Sequence, residues 1–312
     1  MMRSDKAVAR FLERESWRLA RTIDLGTTAV VKVVERDGEQ AALKTRREEA
    51  SDGQALLVEY RVLRYLNSTT MRRYVPRVAE WLPELNGLLM EHLRYPTPAE
   101  KADAALLPEL ASALRRLHDL PLPTIQGLVD KGPDVGAALC RRWGTLFEMV
   151  WRSDDVWVGL SEGDTTKLER VRALYSTYAD HLSQMSESLA STRAALTHGD
   201  LAGDNIMLKQ DGHLAITDWG STRIGAALVD AAGLSTTMDW APDDVGRFYR
   251  LYLGDAADPD QEARRLLERL SRLHRYRACV QSLLWLNDET EGLDAVGRAH
   301  FERQFSALDR WG

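Results

Sequence analysis

His198, Asp200, Asn205 and Asp218 all fall in one stretch, Leu196 to Gly220, which reads LTHGDLAGDNIMLKQDGHLAITDWG. Ile206 to Leu208 and Leu214 to Ile216 are short apolar runs, and the Asp211-Gly212 pair between them is a strong hairpin signal. A turn at that pair sets Leu208 beside Leu214 and Ile206 beside Ile216, and Asn205 is expected directly opposite Asp218 at the open end. Opposed residues of an antiparallel pair hold their Cβ atoms about 5 Å apart, so an amide oxygen and a carboxylate would meet there. Such a pair suits a hard cation. Mg²⁺ takes oxygen ligands, uses one or two protein carboxylates, and completes its octahedron with water and phosphate oxygens. Asp200, in the loop entering the hairpin, is placed to orient or deprotonate a hydroxyl beside that metal. His198 reads as a brace for the loop. Turn chemistry accounts for a single Asp or Asn beside a hairpin, but not for three such residues converging on one end.

The elements that must hold this stretch begin near the amino terminus. Trp17, Leu19, Ile23 and Leu25 share one parity, as on a half-buried strand. A corner at Gly26-Thr27-Thr28, a β-branched run from Val30 to Val34, a turn at Asp37-Gly38 and the run Ala41 to Thr45 predict three antiparallel strands. Lys44 closes the third strand. Ser51 with Gln54 has the form of a capping box ahead of a helix from Ala55 to Leu66. On that helix Glu59 shares a face with Val62, Leu63 and Leu66, and Ala55, Leu56, Val62 and Leu63 are its helical neighbours. None of these can neutralise it. A buried, isolated carboxylate is costly, so a partner from another element is required, and Lys44 is the candidate. Pro76 to Leu82 and Gly87 to Leu93 read as two further strands.

His198-Gly199-Asp200, Asn205 and Asp218-Trp219-Gly220 together resemble the catalytic loop and metal-binding tripeptide of the protein-kinase-like fold, H-R-D-x-x-x-x-N followed by D-F-G. Gly199 in place of Arg, and Trp219 in place of Phe, resemble the aminoglycoside phosphotransferase and choline kinase branch. The resemblance implies an α+β, two-lobed protein-kinase-like fold, with a small antiparallel-sheet N-lobe at 1–93 that binds nucleotide. A larger, mainly helical lobe at 94–312 would carry catalysis and substrate binding. It further implies ATP or GTP as phosphoryl donor and Mg²⁺ as metal. Asp200 would be the catalytic base, Asn205 and Asp218 the metal ligands, and Lys44, fixed by Glu59, the contact to the α- and β-phosphates. Gly26, Thr27 and Thr28 would lie over the phosphates, although the full G-x-G-x-x-G is absent. Met90 would back the adenine pocket, with the Glu91 carbonyl and the Leu93 N–H reading the adenine edge. Gly225 to Asp230 matches, in order, the family segment whose Asp braces the catalytic loop, here without the usual Pro before it.

Arg94 to Glu100 is a breaker-rich connector, and Leu106 to His118 an amphipathic helix. Residues 124–193 read as a helical insertion over the substrate side. It carries Trp143, Trp151 and Trp157 with Asp154, Asp155, Glu162 and Asp164, either a cleft for a polar or cationic substrate or a plain helix-pair core. Helices are expected over Gln261 to Tyr276 and Ala278 to Leu286. The acidic end that follows includes Asp288, Glu289 and Glu291; it reads either as a plain acidic loop or, as the resemblance to aminoglycoside kinases implies, as carboxylates for a drug's ammonium groups.

A net charge of −6 and a pI near 5.7 argue against a nucleic-acid partner. Cys140 and Cys279 are the only cysteines and have no metal-ligand spacing, which fits a reducing compartment. The amino terminus lacks the apolar core of a signal peptide, and no long apolar run crosses a membrane, so a cytoplasmic protein is expected. The oligomeric state is not legible. The function expected is ATP-dependent transfer to a hydroxyl of a small molecule, first an aminoglycoside or other antibiotic, for resistance or self-protection. A metabolic acceptor of choline, homoserine or sugar type comes second. Protein substrates are disfavoured because no A-P-E signature follows Gly220. One rival is a nucleotide-binding scaffold that performs no transfer, whose mark would be loss of Lys44, Asp200, Asn205 or Asp218. Another is a metal-dependent hydrolase using His198, Asp200 and Asp218, which leaves Lys44 and Glu59 unexplained.

Overall fold

The computed structural model describes residues 3–23, 29–47, 54–97, 100, 105–128, 134–151, 161–238, 240–254, 261–286, 298, 302–306 and 308. Helix α1 (Arg3–Arg14) opens the chain, ahead of strands β1 (Arg18–Ile23), β2 (Ala29–Arg36) and β3 (Glu39–Arg46). Helix α2 (Ala55–Asn67) follows, then β4 (Val78–Leu82) and β5 (Gly87–Glu91). The five strands form one antiparallel sheet in the order β1-β2-β3-β5-β4. Asp37 and Gly38 both take positive φ, 53° and 82°, which closes the β2–β3 hairpin as a turn matched to strand twist.

The period of two along the strands decides which face meets which helix. Leu43 and Leu89 join Val34 and Leu82 under Val8 and Phe11 of α1. Ala42, Leu88 and Met90 join Val62, Leu63 and Leu66 of α2 in the main core. Lys44 shares the parity of Ala42 and therefore lies on the α2 side. At Gly87, opposite Thr45, a Cβ would come within 2.7 Å of the Lys44 carbonyl oxygen, so only glycine lets β5 approach β3 there.

Two departures from expectation stand out. Helix α1 was not anticipated, although Val8, Phe11 and Leu12 have the i, i+3, i+4 spacing of an apolar helical face. Strand β1 exists but is not half-buried: it is an edge strand of the sheet, paired on one side only, and Leu19 remains 45% exposed. Gln54 is the N-cap of α2, and Ser51, the other member of the expected capping box, lies outside the described residues.

The remainder is mainly helical: α3 (Leu106–His118), α4 (Ala137–Glu148), α5 (Glu162–Ala190), α6 (Leu228–Thr237), α7 (Pro242–Leu253) and α8 (Gln261–Leu286). Two small antiparallel pairs lie among them, β6 (Ala194–Thr197) with β9 (Arg223–Ala226) and β7 (Ile206–Leu208) with β8 (Leu214–Ile216). Leu107, Leu110, Leu114 and Leu117 of α3 and Leu267, Leu270, Leu273, Tyr276, Val280 and Leu283 of α8 are fully buried. Each such side chain stabilises by about 1.5–3 kcal/mol before entropy is counted. Helix α8 runs unbroken through Arg277, where two helices were expected, because no breaker residue interrupts it. The chain passes from the sheet to this part through Arg94, whose N–H and C=O both pair with Leu208 at 2.9 Å. Among the described residues no helix is long and apolar enough to cross a membrane.

Candidate active site

Strand β6 delivers the chain into the loop at His198, and Asp230 at the start of α6 fixes that loop. Its Oδ2 accepts from the His198 N–H at 2.7 Å and faces His118 Nε2 at 3.2 Å, while Oδ1 accepts from the Gly199 N–H at 3.1 Å. His118 Nδ1 in turn lies 2.8 Å from the Tyr252 hydroxyl. Burial opposes charge on Asp230, but the hydrogen bond and electrostatic pull of His118, aided by His198, hold its carboxyl below the ordinary range. The bracing role expected for Asp230 is therefore present in the geometry, without the Pro of the family pattern. His198 adds a second tie: its Nε2 donates to the Thr217 carbonyl at 2.7 Å, and its ring lies 4.7 Å from that of Trp219.

Gly199 takes φ +82°, and a Cβ there would fall 2.2 Å from the Ser221 carbonyl oxygen and 2.7 Å from Arg223 Nε. The space an Arg side chain would need is filled by Ser221 and Arg223, which gives a steric reason for glycine at this position.

The β7–β8 hairpin has the expected register, Ile206 with Ile216 and Leu208 with Leu214. The same register corrects the opposition expected beyond it. Thr217, not Asp218, faces Asn205, and its N–H donates to the Asn205 carbonyl at 2.9 Å. Asp218 stands one residue further on, in the left-handed region at φ 63°, ψ 57°. Trp219 follows, fully buried, with Nε1 donating to the Ile216 carbonyl at 2.8 Å. Burying about 200 Å² of aromatic surface at roughly 25 cal/mol/Å² is worth on the order of 5 kcal/mol, enough to anchor the turn that carries Asp218. Asn205 Nδ2 donates to the Asp200 carbonyl at 2.9 Å, tying the metal-ligand candidate to the base candidate. The Asp200 carboxylate itself is 56% exposed.

Lys44 and Glu59 meet as expected. Lys44 Nζ donates to Glu59 Oε2 at 2.8 Å and also to Asp218 Oδ1 at 2.7 Å, a second contact that was not foreseen. Burial alone would discharge Lys44, but Glu59 and Asp218 hold it protonated, above the ordinary lysine range. Burial opposes ionisation of Asp218 too, and Lys44 outweighs it, so that carboxyl lies below its ordinary value. Burial pushes the Glu59 carboxyl up, against Lys44, and its Oε1 has no hydrogen-bond partner among the described residues. An ammonium has three donors, so among the described residues one N–H of Lys44 is left over.

Met90 is buried at the end of β5, and the Glu91 carboxylate accepts from the Arg77 N–H at 3.0 Å and lies 3.5 Å from Lys209 Nζ. Leu93 is buried beside the connector. Gly26, Thr27, Thr28, Asp154, Asp155, Trp157, Asp288, Glu289 and Glu291 lie outside the described residues. Trp143 forms no substrate wall: it is core, edge-on to His274 at 4.7 Å, while Trp151 is 55% exposed against Tyr175. Asp164 is likewise committed elsewhere, to the Ser161 cap of α5 and to Arg298 at 3.1 Å. Two residues near the site were not singled out. Burial raises the Tyr95 hydroxyl pKa, and Asp204 and Asp218 add to the effect, which puts Tyr95 within electrostatic reach of the cleft. Arg277 Nη2 lies 3.5 Å from Asp200 Oδ1.

The donors available to a metal are the Asp218 carboxylate and the Asn205 amide oxygen, while His198, the imidazole within electrostatic reach of Asp218, spends its Nε2 on the Thr217 carbonyl; hard oxygen donors of this kind fit Mg²⁺. No cluster of three or more His, Cys, Asp or Glu side chains occurs among the described residues, so a fully protein-built metal cage is not what these residues offer. Asp218 is 53% exposed and uses one oxygen on Lys44, leaving the other for a cation.

Among known proteins, residues 20–267 match the model of the phosphotransferase enzyme family. No curated protein matches the chain by sequence. Solved structures of similar fold include a choline kinase from Cryptosporidium parvum Iowa II, at TM-score 0.66 and 13% identity over 98% of this chain and 95% of that one. A Plasmodium vivax ethanolamine kinase aligns at TM-score 0.64 and 14% identity over 98% of this chain and 84% of that one. The macrolide 2'-phosphotransferase of Brachybacterium faecium aligns at TM-score 0.62 and 16% identity over 96% of this chain and 98% of that one. At these identities the likeness is one of fold, the α+β protein-kinase-like architecture expected from the sequence.

Proposed function

Because the match spans most of its length, the chain belongs to the phosphotransferase enzyme family, and we propose that it transfers the γ-phosphoryl group of ATP, or of GTP, to a hydroxyl of a small molecule. The observation that carries this reading is the Lys44 ammonium held between Glu59 and Asp218, a fixed positive charge with one donor left for a phosphate oxygen. Residues 1–93 form the nucleotide-binding half, in which Met90, Glu91 and Leu93 take the adenine and Gly26, Thr27 and Thr28 are the residues assigned to the phosphates. Residues 94–312 bring the acceptor.

Asp200 is the catalytic base. It orients the acceptor hydroxyl and takes its proton as the oxygen bonds to the γ-phosphorus and the bond to the β–γ bridging oxygen breaks, leaving ADP and a phosphate ester. Asn205 and Asp218 would hold Mg²⁺, which when bound neutralises charge on the β- and γ-phosphates. Asp230, His198 and Asn205 keep the Asp200 loop in one position, so that catalysis comes from placement and charge neutralisation.

The acceptor is a hydroxylated natural product, such as an antibiotic in resistance or self-protection, or a metabolic alcohol, and the reaction runs in the cytoplasm. Retention of Lys44, Asp200, Asn205 and Asp218 speaks against a scaffold without transfer. The Lys44–Glu59 pair speaks against a hydrolase that needs no nucleotide.

The test is a Mg·ATP consumption screen over antibiotics and small alcohols, with mass spectrometry for the added phosphoryl group. A general base contributes about 10²–10⁴-fold, so Asp200→Ala should lose transfer by that factor while ATP affinity stays within a few-fold. Equal transfer by Asp200→Ala and wild type would refute the role.

A further inference from the structure

The reaction above uses one carboxylate on the acceptor side and leaves three arginines beside it unexplained. Arg142 on α4, Arg223 at the start of β9 and Arg277 on α8 come from distant parts of the chain. Arg142 and Arg223 share a single oxygen of Asp134: Arg142 Nη2 lies at 2.7 Å and Arg223 Nη1 at 3.2 Å. Arg223 also lies against Gly199, the residue before Asp200, with its Nε donating to the Ser221 carbonyl at 3.1 Å. The hydrogen-bond partners of Arg277 among the described residues are Asp200 Oδ1 and Gln281 Oε1, each at 3.5 Å, the outer limit of a hydrogen bond. Burial, then Arg223, and more weakly Arg277, disfavour the charge on Arg142.

Guanidinium groups stay charged in proteins. Asp134 offsets one of the three. Asp200, ionised until it takes the hydroxyl proton, offsets a second through Arg277. Among the described residues one positive charge is therefore in surplus on this wall, and the side chains of Arg142, Arg223 and Arg277 keep 37%, 25% and 18% of their surface accessible, so they are not sealed away. A quaternary ammonium or polyamine acceptor would be repelled by this wall. A carboxylate or phosphate ester matches the planar, forked donors of Arg.

Resting on the phosphotransferase reading, we infer that the acceptor carries an anionic group, a carboxylate or phosphate ester, besides the hydroxyl that is phosphorylated, and that Arg142, Arg223 and Arg277 hold it next to Asp200. Binding the anion draws Arg277 off Asp200 and frees the base as the hydroxyl arrives.

Calorimetric titration of the protein saturated with Mg·AMP-PNP tests this, using inorganic phosphate and D-glycerate as probes on wild type, Arg277→Gln and Arg277→Lys. With the nucleotide site filled, wild type should bind both anions. Arg277→Gln should weaken both at least tenfold with AMP-PNP affinity unchanged within twofold, and Arg277→Lys should fall between. That pattern supports the site whether or not glycerate itself turns over. In turnover with Mg·ATP, D-glycerate and glycerol 3-phosphate should outperform choline and kanamycin. Absence of anion binding, or binding indifferent to Arg277→Gln, overturns the inference. So does phosphorylation of choline or kanamycin in preference to the anionic alcohols. If the arginines instead grip the donor's γ-phosphate, AMP-PNP will block inorganic phosphate and Arg277→Gln will weaken AMP-PNP, which also overturns it. Failure of Mg·AMP-PNP to bind would sink the phosphotransferase reading instead, and phosphate titration of the nucleotide-free protein would still test the anion site.

Discussion

Replacing Asp230 by Asn should loosen the loop that carries Asp200, by an amount the hydrogen bonds allow to be worked out. The carboxylate is 2% exposed and meets three N–H groups, of His198, Gly199 and His118. An Asn oxygen placed where Oδ2 now lies keeps the His198 and His118 contacts, but puts the Asn NH₂ against the Gly199 N–H, donor facing donor. Loss of charge assistance costs about 1.5–3 kcal/mol, and a buried N–H left without an acceptor about 1–3 kcal/mol more. The sum, about 2.5–6 kcal/mol, leaves a protein with about 10 kcal/mol of stability folded at 25 °C. Urea unfolding at pH 7 should show it as a lower midpoint with unchanged m-value. Because Gly199 precedes Asp200, kcat should fall as well, by about 10² if the base shifts by about 1 Å. The folded pKa of Asp230 lies below its unfolded value, so its contribution is present above about pH 4 and is lost as pH falls through the folded pKa. The gap between wild type and Asp230→Asn should therefore narrow below about pH 4. A change under about 1 kcal/mol at pH 7 with kcat intact would refute the bracing argument.

Breaking a buried ion pair costs about 3–5 kcal/mol when the partner is stranded, but Asp218 would still face Lys44 in Glu59→Gln. That variant should therefore lose about 2 kcal/mol in urea unfolding, with KM for ATP raised and KM for the acceptor little changed. His274 is held neutral by burial and then by Arg277, with its pKa lowered to about 3 from 6.5. Its unfolded form binds the extra proton first, so its contribution is complete above about pH 6.5 and is lost as pH falls towards the folded value. Between pH 7 and pH 5 stability should drop by about 2 kcal/mol, and His274→Asn should flatten that slope in pH-dependent denaturation.

What was legible in the sequence followed from local rules. Asp211-Gly212 between apolar runs specified the hairpin, and helical periodicity put Glu59 on an apolar face, which required a partner such as Lys44. The opposition of Asn205 and Asp218 failed by one residue: pairing Ile206 with Ile216 puts Thr217 opposite Asn205, and a left-handed backbone turn at Asp218 then sets where its carboxylate goes. Side-chain periodicity does not encode that turn. The Asp230 network was visible only as a position in a pattern, because two of its three donors are backbone N–H groups, which every residue but proline has. Arg142, Arg223 and Arg277 sit in an arginine-rich chain, where each alone reads as a solvated charge; only tertiary packing of α4, β9 and α8 brings them together.

The central claim, that the Asp218 turn and Lys44 together receive a metal-bound nucleotide, is tested most directly by the Mg²⁺ dependence of AMP-PNP affinity. The account predicts at least tenfold tighter binding with Mg²⁺ than without in wild type, and loss of that difference in Asp218→Ala. Binding indifferent to Mg²⁺, or an undiminished Mg²⁺ effect in Asp218→Ala, would contradict it.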